Sequence, residues 1–198
     1  MLGIDLSPIQ PEYVPPNCRF EIDDADDEWI YSHPFDYVHG RYVCGFLTDP
    51  ARFLARAFAA IRPGGHIEVM ETLMVMQAVD DSLRDHPLDR WAHLVRDGLA
   101  RIGRDPLRLV HLKRWMADAG FVNITEKKLA VPVNPWARGR EQKIRGALMM
   151  TNLLEVCQSI TLNVLTKVWG WSSEEVEVFL VDVRAGLKDR NIHAYVPV

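Results

Sequence analysis

Three places along the chain carry side chains whose type and spacing could do chemistry. Asp5 closes the apolar run Leu2 to Leu6, and a carboxylate at the end of a strand offers two oxygens that can accept from both hydroxyls of a ribose. An acidic run, Asp23 to Glu28, follows a second short segment, Arg19 to Ile22. His39, Gly40 and Arg41 close a third, Phe35 to Val38, at the strand edge where ligands of open α/β sheets gather. Each place also has a plainer reading. Asp5-Leu6-Ser7-Pro8 is good turn chemistry, the acidic run suits a solvated loop, and His39 reads equally as an active-site base or as a hydrogen-bonded structural histidine.

The elements that must position these residues alternate. Leu2 to Leu6, Arg19 to Ile22 and Phe35 to Val38 read as short strands. Asp49 and Pro50 supply an N-cap and a first-turn proline before Phe53, Leu54, Ala57, Phe58 and Ile61, which make one helical face. Pro63-Gly64-Gly65 stops that helix, and His66 to Glu71 reads as the next strand. Further on, Leu88, Trp91, Val95, Leu99 and Ile102 recur at helical spacing. Asp105-Pro106 opens a helix that runs to Gly120, Phe121 to Val131 reads as a strand, and Leu153 to Val168 as a helix. Ser172 with Glu175 predicts a capping box before a last helix. Strand, helix and strand joined by short turns predict one α/β domain over residues 1–198, with a mostly parallel sheet and extra C-terminal helices placed to form a lid.

Composition narrows the function classes. The chain has 198 residues, 48% of them hydrophobic and 25% charged, enough to bury the core of one domain. Its net charge of -4 provides no basic face for nucleic acid. Arg138, Arg140, Lys143 and Arg145 read as a solvated helix start. Cys18, Cys44 and Cys157 are odd in number and far apart, which predicts reduced thiols and no metal site. No secretory leader or membrane-length apolar run is read in the sequence, so a cytoplasmic protein is expected, with the nucleus also open.

GIDLSPIQP (Gly3 to Pro11), FEIDDADDEW (Phe20 to Trp29), FDYVHGR (Phe35 to Arg41), IRPGGHIEVME (Ile61 to Glu71) and GWSSEEV (Gly170 to Val176) together resemble the fungal LaeA-like branch of class I S-adenosylmethionine (SAM)-dependent methyltransferases. The likeness covers nearly the whole chain, in order. It implies an incomplete Rossmann-like fold and a SAM site. Asp5, beside Leu6, would take the ribose hydroxyls, and Asp24 with Ala25 the adenine amino group. His39 and Arg41 would face the sulfonium and the methyl acceptor, with His39 as the candidate catalytic residue.

The resemblance also implies absences. Relatives carry a glycine-rich loop after a first central strand, where backbone N–H groups approach the cofactor closely. This sequence contains no Gly-x-Gly, and Met1 directly precedes what resembles the second strand. The expectation is therefore a domain truncated at its N-terminus, and also at its C-terminus after His193-Ala194-Tyr195, with SAM binding weak or lost. Unpaired central edges would be met by a homodimer or a partner chain. Three functions follow: a methyltransferase acting on a small molecule of secondary metabolism, or a pseudoenzyme derived from one, a SAM-independent natural-product cyclase on the same scaffold, or a non-catalytic regulatory module.

Overall fold

The computed structural model describes residues 1–11 and 13–198. These fall into two compact units, Met1–Val69 with Leu112–Ile124, and Met70–His111 with Thr125–Val198. The fold class is the expected one, an incomplete Rossmann-like α/β arrangement with parallel pairing at its start.

In the first unit, strands β1 (Leu2–Asp5) and β2 (Arg19–Ile22) pair in parallel, with Leu2 opposite Arg19 and Asp5 opposite Ile22. Strands β3 (Phe35–Arg41) and β4 (Ile61–Met70) form a second ladder. Helix α1 (Pro50–Ala60) begins as expected, with the Arg52 N–H donating to Asp49 Oδ1 and Pro50 in its first turn. Its buried Phe53, Leu54 and Ala57 supply the unit's apolar centre. Helix α3 (Leu112–Ala119) packs on α1, and the Phe58 and Phe121 rings meet edge to face at 5.0 Å.

Two expectations need correction here. The Pro63-Gly64-Gly65 turn is drawn into β4, because a Cβ on Gly65 would stand 2.8 Å from the Asp36 carbonyl oxygen of β3. Only glycine lets the two backbones approach so closely. Phe121 to Val131 is not one strand. Asn123 takes a left-handed backbone (φ 56), which breaks the extended run, and only Ala130–Pro132 is left as strand β6.

In the second unit, β5 (Gln77–Ala78), β7 (Ala194–Pro197) and β6 form an antiparallel sheet with β7 in the middle. The strands therefore lie in three separate ladders rather than one sheet. Helices α2 (Pro87–Arg101), α4 (Arg140–Trp169) and α5 (Ser173–Lys188) pack on one another. Leu88, Val95, Leu165, Val176, Leu180, Val183 and Leu187 form their dry centre. The predicted capping box is present, with Ser172 Oγ accepting from the Glu175 N–H and Glu175 Oε2 from the Ser172 N–H. Inside the core the Trp91 indole N–H donates to Thr161 Oγ1 at 2.6 Å. Helices α2 and α4 touch at Gly98, where a Cβ would come within 2.2 Å of a Val164 methyl.

At 30 residues, α4 is longer than the sequence reading, and by length and composition it could cross a membrane. Cys157, Thr161, Val164 and Leu165 bury one stripe of its second half, while 22% of its apolar window is buried in all.

Candidate functional site

The candidate site grows from the C-terminal end of the β1–β2 pair. Parallel pairing sets the two strand ends side by side, and the Asp23 N–H donates to the Asp5 carbonyl oxygen at 3.1 Å. Asp5 therefore stands next to the Asp23-Asp24-Ala25 turn. The Ser7 N–H donates to Asp5 Oδ1 at 2.9 Å, so the turn chemistry is real and uses one oxygen. Asp5 Oδ2 has no hydrogen-bond partner among the described residues. In the same way the Asp26 N–H donates to Asp24 Oδ1 at 2.9 Å, leaving Asp24 Oδ2 open, while the Asp24 N–H donates to Asp23 Oδ1. Trp29 pins the turn from below, its indole N–H donating to the Ala25 carbonyl oxygen at 3.3 Å and its ring meeting Phe53 of α1 at 5.5 Å. Leu6 is exposed just past the strand end.

His39 and Arg41 stand on the other ladder of this unit, and no contact recorded between described residues joins them to Asp5 or Asp24. Along β3, Tyr37, His39 and Arg41 are exposed at alternate positions, while Gly40 is buried toward Phe53 of α1. The Tyr37 and His39 rings stack at 6.2 Å. The Tyr37 hydroxyl donates to Glu68 Oε2 of β4 at 2.9 Å, and that bond holds the phenol above its ordinary pKa. Tyr37 and Glu68 are thus the polar neighbours of His39 that sequence reasoning missed. The signal was the period-two spacing of Tyr37, His39 and Arg41.

Two clefts formed by described residues of this unit take no lining from Asp5, Asp24, His39 or Arg41. One, of about 530 Å³, lies at the opposite strand ends against Leu2, Arg19 and Phe35 to Tyr37. The other, of about 780 Å³, lies between Trp29, Tyr31 and His33 on one side and Arg52 and Arg56 of α1 on the other. Tyr31 has its hydroxyl pKa raised by burial, and further by the charges of Asp23 and Glu21.

The chemistry of this donor set fits one half of a nucleoside-type cofactor. Two carboxylates at the ends of neighbouring strands, each with a free oxygen, suit hydroxyl and amino donors. The sequence has no Gly-x-Gly turn to cradle the amino-acid half.

Parallel strands ending in carboxylates, with a helix behind them, define the class: an incomplete Rossmann-like α/β protein. The profile of the family described as "Methyltransferase domain" matches residues 1–126, and the chain belongs to this family, in its fungal LaeA-like branch, a family that in general uses SAM. It is 36% identical over 195 residues to the protein named "Methyltransferase pytC" from Aspergillus terreus, covering 98% of this chain and 60% of that one. It is 33% identical to the "Secondary metabolism regulator LAE1" of Cochliobolus heterostrophus, across 98% of this chain and 65% of the relative. With the "Protein-methionine methyltransferase laeA" of Emericella nidulans it shares 27% identity, across 98% and 52%. The chain thus spans between half and two thirds of the length of these curated relatives.

Proposed function

We propose that this chain is a SAM-dependent methyltransferase-like protein acting on a small molecule of fungal secondary metabolism, and that alone it grips the nucleoside half of SAM while holding the methionine half weakly. The observation that carries this reading is that Asp5 and the turn bearing Asp24 lie at the neighbouring ends of two paired parallel strands, joined by the Asp23 N–H to Asp5 carbonyl bond, with one carboxylate oxygen of Asp5 and of Asp24 open. Asp5 would accept from the ribose hydroxyls and Asp24 from the adenine amino group, with Leu6 and Ala25 beside them. His39 and Arg41 would serve the reacting end, His39 taking the proton of the methyl acceptor. When bound, SAM supplies an electrophilic methyl group for in-line displacement by an oxygen, nitrogen or carbon nucleophile, so positioning does most of the catalysis.

Hydrogen bonds to charged groups contribute about 1.5–3 kcal/mol each. A site short of two of them at the methionine end is weaker by roughly a hundredfold to ten-thousandfold, which takes a micromolar site toward the millimolar range. Isothermal titration with SAM and S-adenosylhomocysteine, with Asp5→Ala as control, tests this. Near-millimolar binding lost in Asp5→Ala supports the reading. Low-micromolar binding lost in Asp5→Ala would mean that this chain also holds the methionine end firmly. No heat at all, together with SAM-free turnover of a polyketide-like substrate, would move the function to the cyclase.

A second reading draws on the outer edges of the two short ladders in the first unit and on the word "regulator" in a relative's name. It is a non-catalytic module that pairs an edge with a second copy or a partner chain. Size-exclusion chromatography that finds only monomer at high concentration would count against the homodimer.

A further inference from the structure

The second unit holds a carboxylate–imidazole pair that the methyltransferase reading does not use. Asp80 and His193 are 113 residues apart, and the β5–β7 ladder brings them together, the Val79 N–H donating to the His193 carbonyl oxygen at 3.3 Å. Asp80 Oδ2 lies 2.6 Å from His193 Nδ1. Asp80 Oδ1 accepts from the Ser82 N–H at 3.0 Å, and Ser82 Oγ accepts from the His193 N–H at 2.9 Å, so both the carboxylate and the backbone carrying the imidazole are fixed. The Asp80 carboxyl is held down to about 2 by the Ser82 hydroxyl first, and then by His193 and the Ser82 amide. An ionised carboxylate can only accept, so in the neutral imidazole Nδ1 carries the hydrogen and the lone pair sits on Nε2. Nε2 has no partner among the described residues, and the side chain is 39% exposed. Beside it stands Trp136, its ring centroid 5.2 Å away and its indole N–H anchored on the Ala194 carbonyl oxygen at 2.7 Å.

A carboxylate that fixes the imidazole tautomer, an open Nε2 and an anchored indole beside it are the parts of a base with a wall for a flat ligand. We propose that Asp80 and His193 form an acid–base site of the second unit, at which His193 Nε2 takes a proton from an acidic C–H or O–H of an aromatic small molecule lying against Trp136, with Asp80 as the positioning residue. The proton passes to Nε2, the electron pair of the broken bond stays on the ligand as an enolate or phenolate, and the imidazolium is balanced by Asp80. The proton then returns to the ligand or to water. No SAM enters this step, so the site stands or falls independently of the nucleoside reading.

The probe is nitrobenzisoxazole, a flat aromatic whose ring opens when a base removes its C–H proton. The N–O bond breaks and a coloured phenolate is released. With the full chain and no SAM, His193→Ala should lose on the order of tenfold or more of the base-catalysed rate. His93→Ala should change it less than about twofold; His93 is a surface histidine whose Nδ1 lies 3.3 Å from Asp89 on its own helix. Asp80→Asn should lower the rate and, by nitrogen NMR, turn the single Nδ1–H tautomer of His193 into a mixture, a change that a purely structural role for Asp80 would not produce. Equal rates for the full chain and His193→Ala, or an equal loss in His93→Ala, would overturn the proposal. Should His193→Ala fail to fold, diethylpyrocarbonate on the unsubstituted chain decides: His193 is expected to be modified faster than His93, and slower modification rejects the site.

Discussion

The two units solve different problems with different materials. The second buries a continuous apolar centre contributed by three helices and the middle strand of its sheet, with the Trp91 indole N–H paired to Thr161 inside it and only a few buried polar atoms, such as Asn134 Oδ1, left without a hydrogen bond among the described residues. The first buries little beyond Cys44, Leu47, Phe53, Leu54 and Ala57, and holds its carboxylates in place with turn hydrogen bonds and one anchored indole. The contrast teaches where stability and chemistry reside. In the first unit carboxylates stand at strand ends with one oxygen spent on the turn and one open, where a ligand could reach them, whereas the helices of the second unit have few polar groups to satisfy and can pack densely.

The largest expected effect is in the second unit. Leu180 is fully buried between α5 and its neighbours, and Leu180→Ala should lower the unfolding free energy by about 2–5 kcal/mol. Urea denaturation followed by circular dichroism reads it. A loss well below about 1 kcal/mol would break the comparison, because that core would then be loose. Next comes Gly98→Ala. The added methyl collides with Val164 and with the Trp169 indole, so a cost of about 1–3 kcal/mol should outweigh the gain in helix propensity of up to about 1 kcal/mol. Pairing it with Val164→Ala should recover part of the loss, a coupling that a double-mutant cycle measures.

A smaller effect depends on pH. The folded Asp80 carboxyl, at about 2, lies below its ordinary value of 3.8, so its ionised form favours the folded state. That contribution is complete above about 3.8 and is lost as the pH falls through about 2. Asp80→Asn should therefore unfold more easily than the unsubstituted chain near neutral pH, and the gap in denaturation midpoint should close across that acid window. A gap independent of pH would leave charge out of the account. The smallest change in stability belongs to the first unit. Asp5→Ala should shift the unfolding free energy by only about 0.5 kcal/mol while removing SAM binding. A large loss of stability would make Asp5 a structural residue.

What the sequence made legible was local. Asp49 with Pro50, and Ser172 with Glu175, announce their helices because a cap is satisfied within a few residues of itself. The Asp5 and Asp24 turns could be read for the same reason. Pairing at long range could not. Ala194–Pro197 was left unassigned, yet it becomes the middle strand of a sheet whose partners begin more than sixty residues away in one case and over a hundred in the other. The same ladder hid Asp80 from His193. Helix α4 starts at Arg140 rather than Leu153, and its first half packs Gly146 against the Asn134 carbonyl, a contact that no periodicity announces. Ile102 fits the α2 pattern but is 57% exposed, since the helix ends at Arg101 and turns it outward.

The buried Trp91–Thr161 hydrogen bond has a consequence for how this family can drift. Replacing Thr161 with valine leaves an indole N–H with no acceptor, and replacing Trp91 with phenylalanine leaves a hydroxyl with no donor; either orphan costs about 1–3 kcal/mol. Changing both at once to apolar residues of matching volume removes both orphans and can be nearly neutral. The route from one pairing to the other therefore crosses a less fit intermediate. Lineages should keep the Trp and Thr together or have lost both, so that among descendants positions 91 and 161 carry a shared history that neighbouring core leucines, free to exchange one at a time, do not.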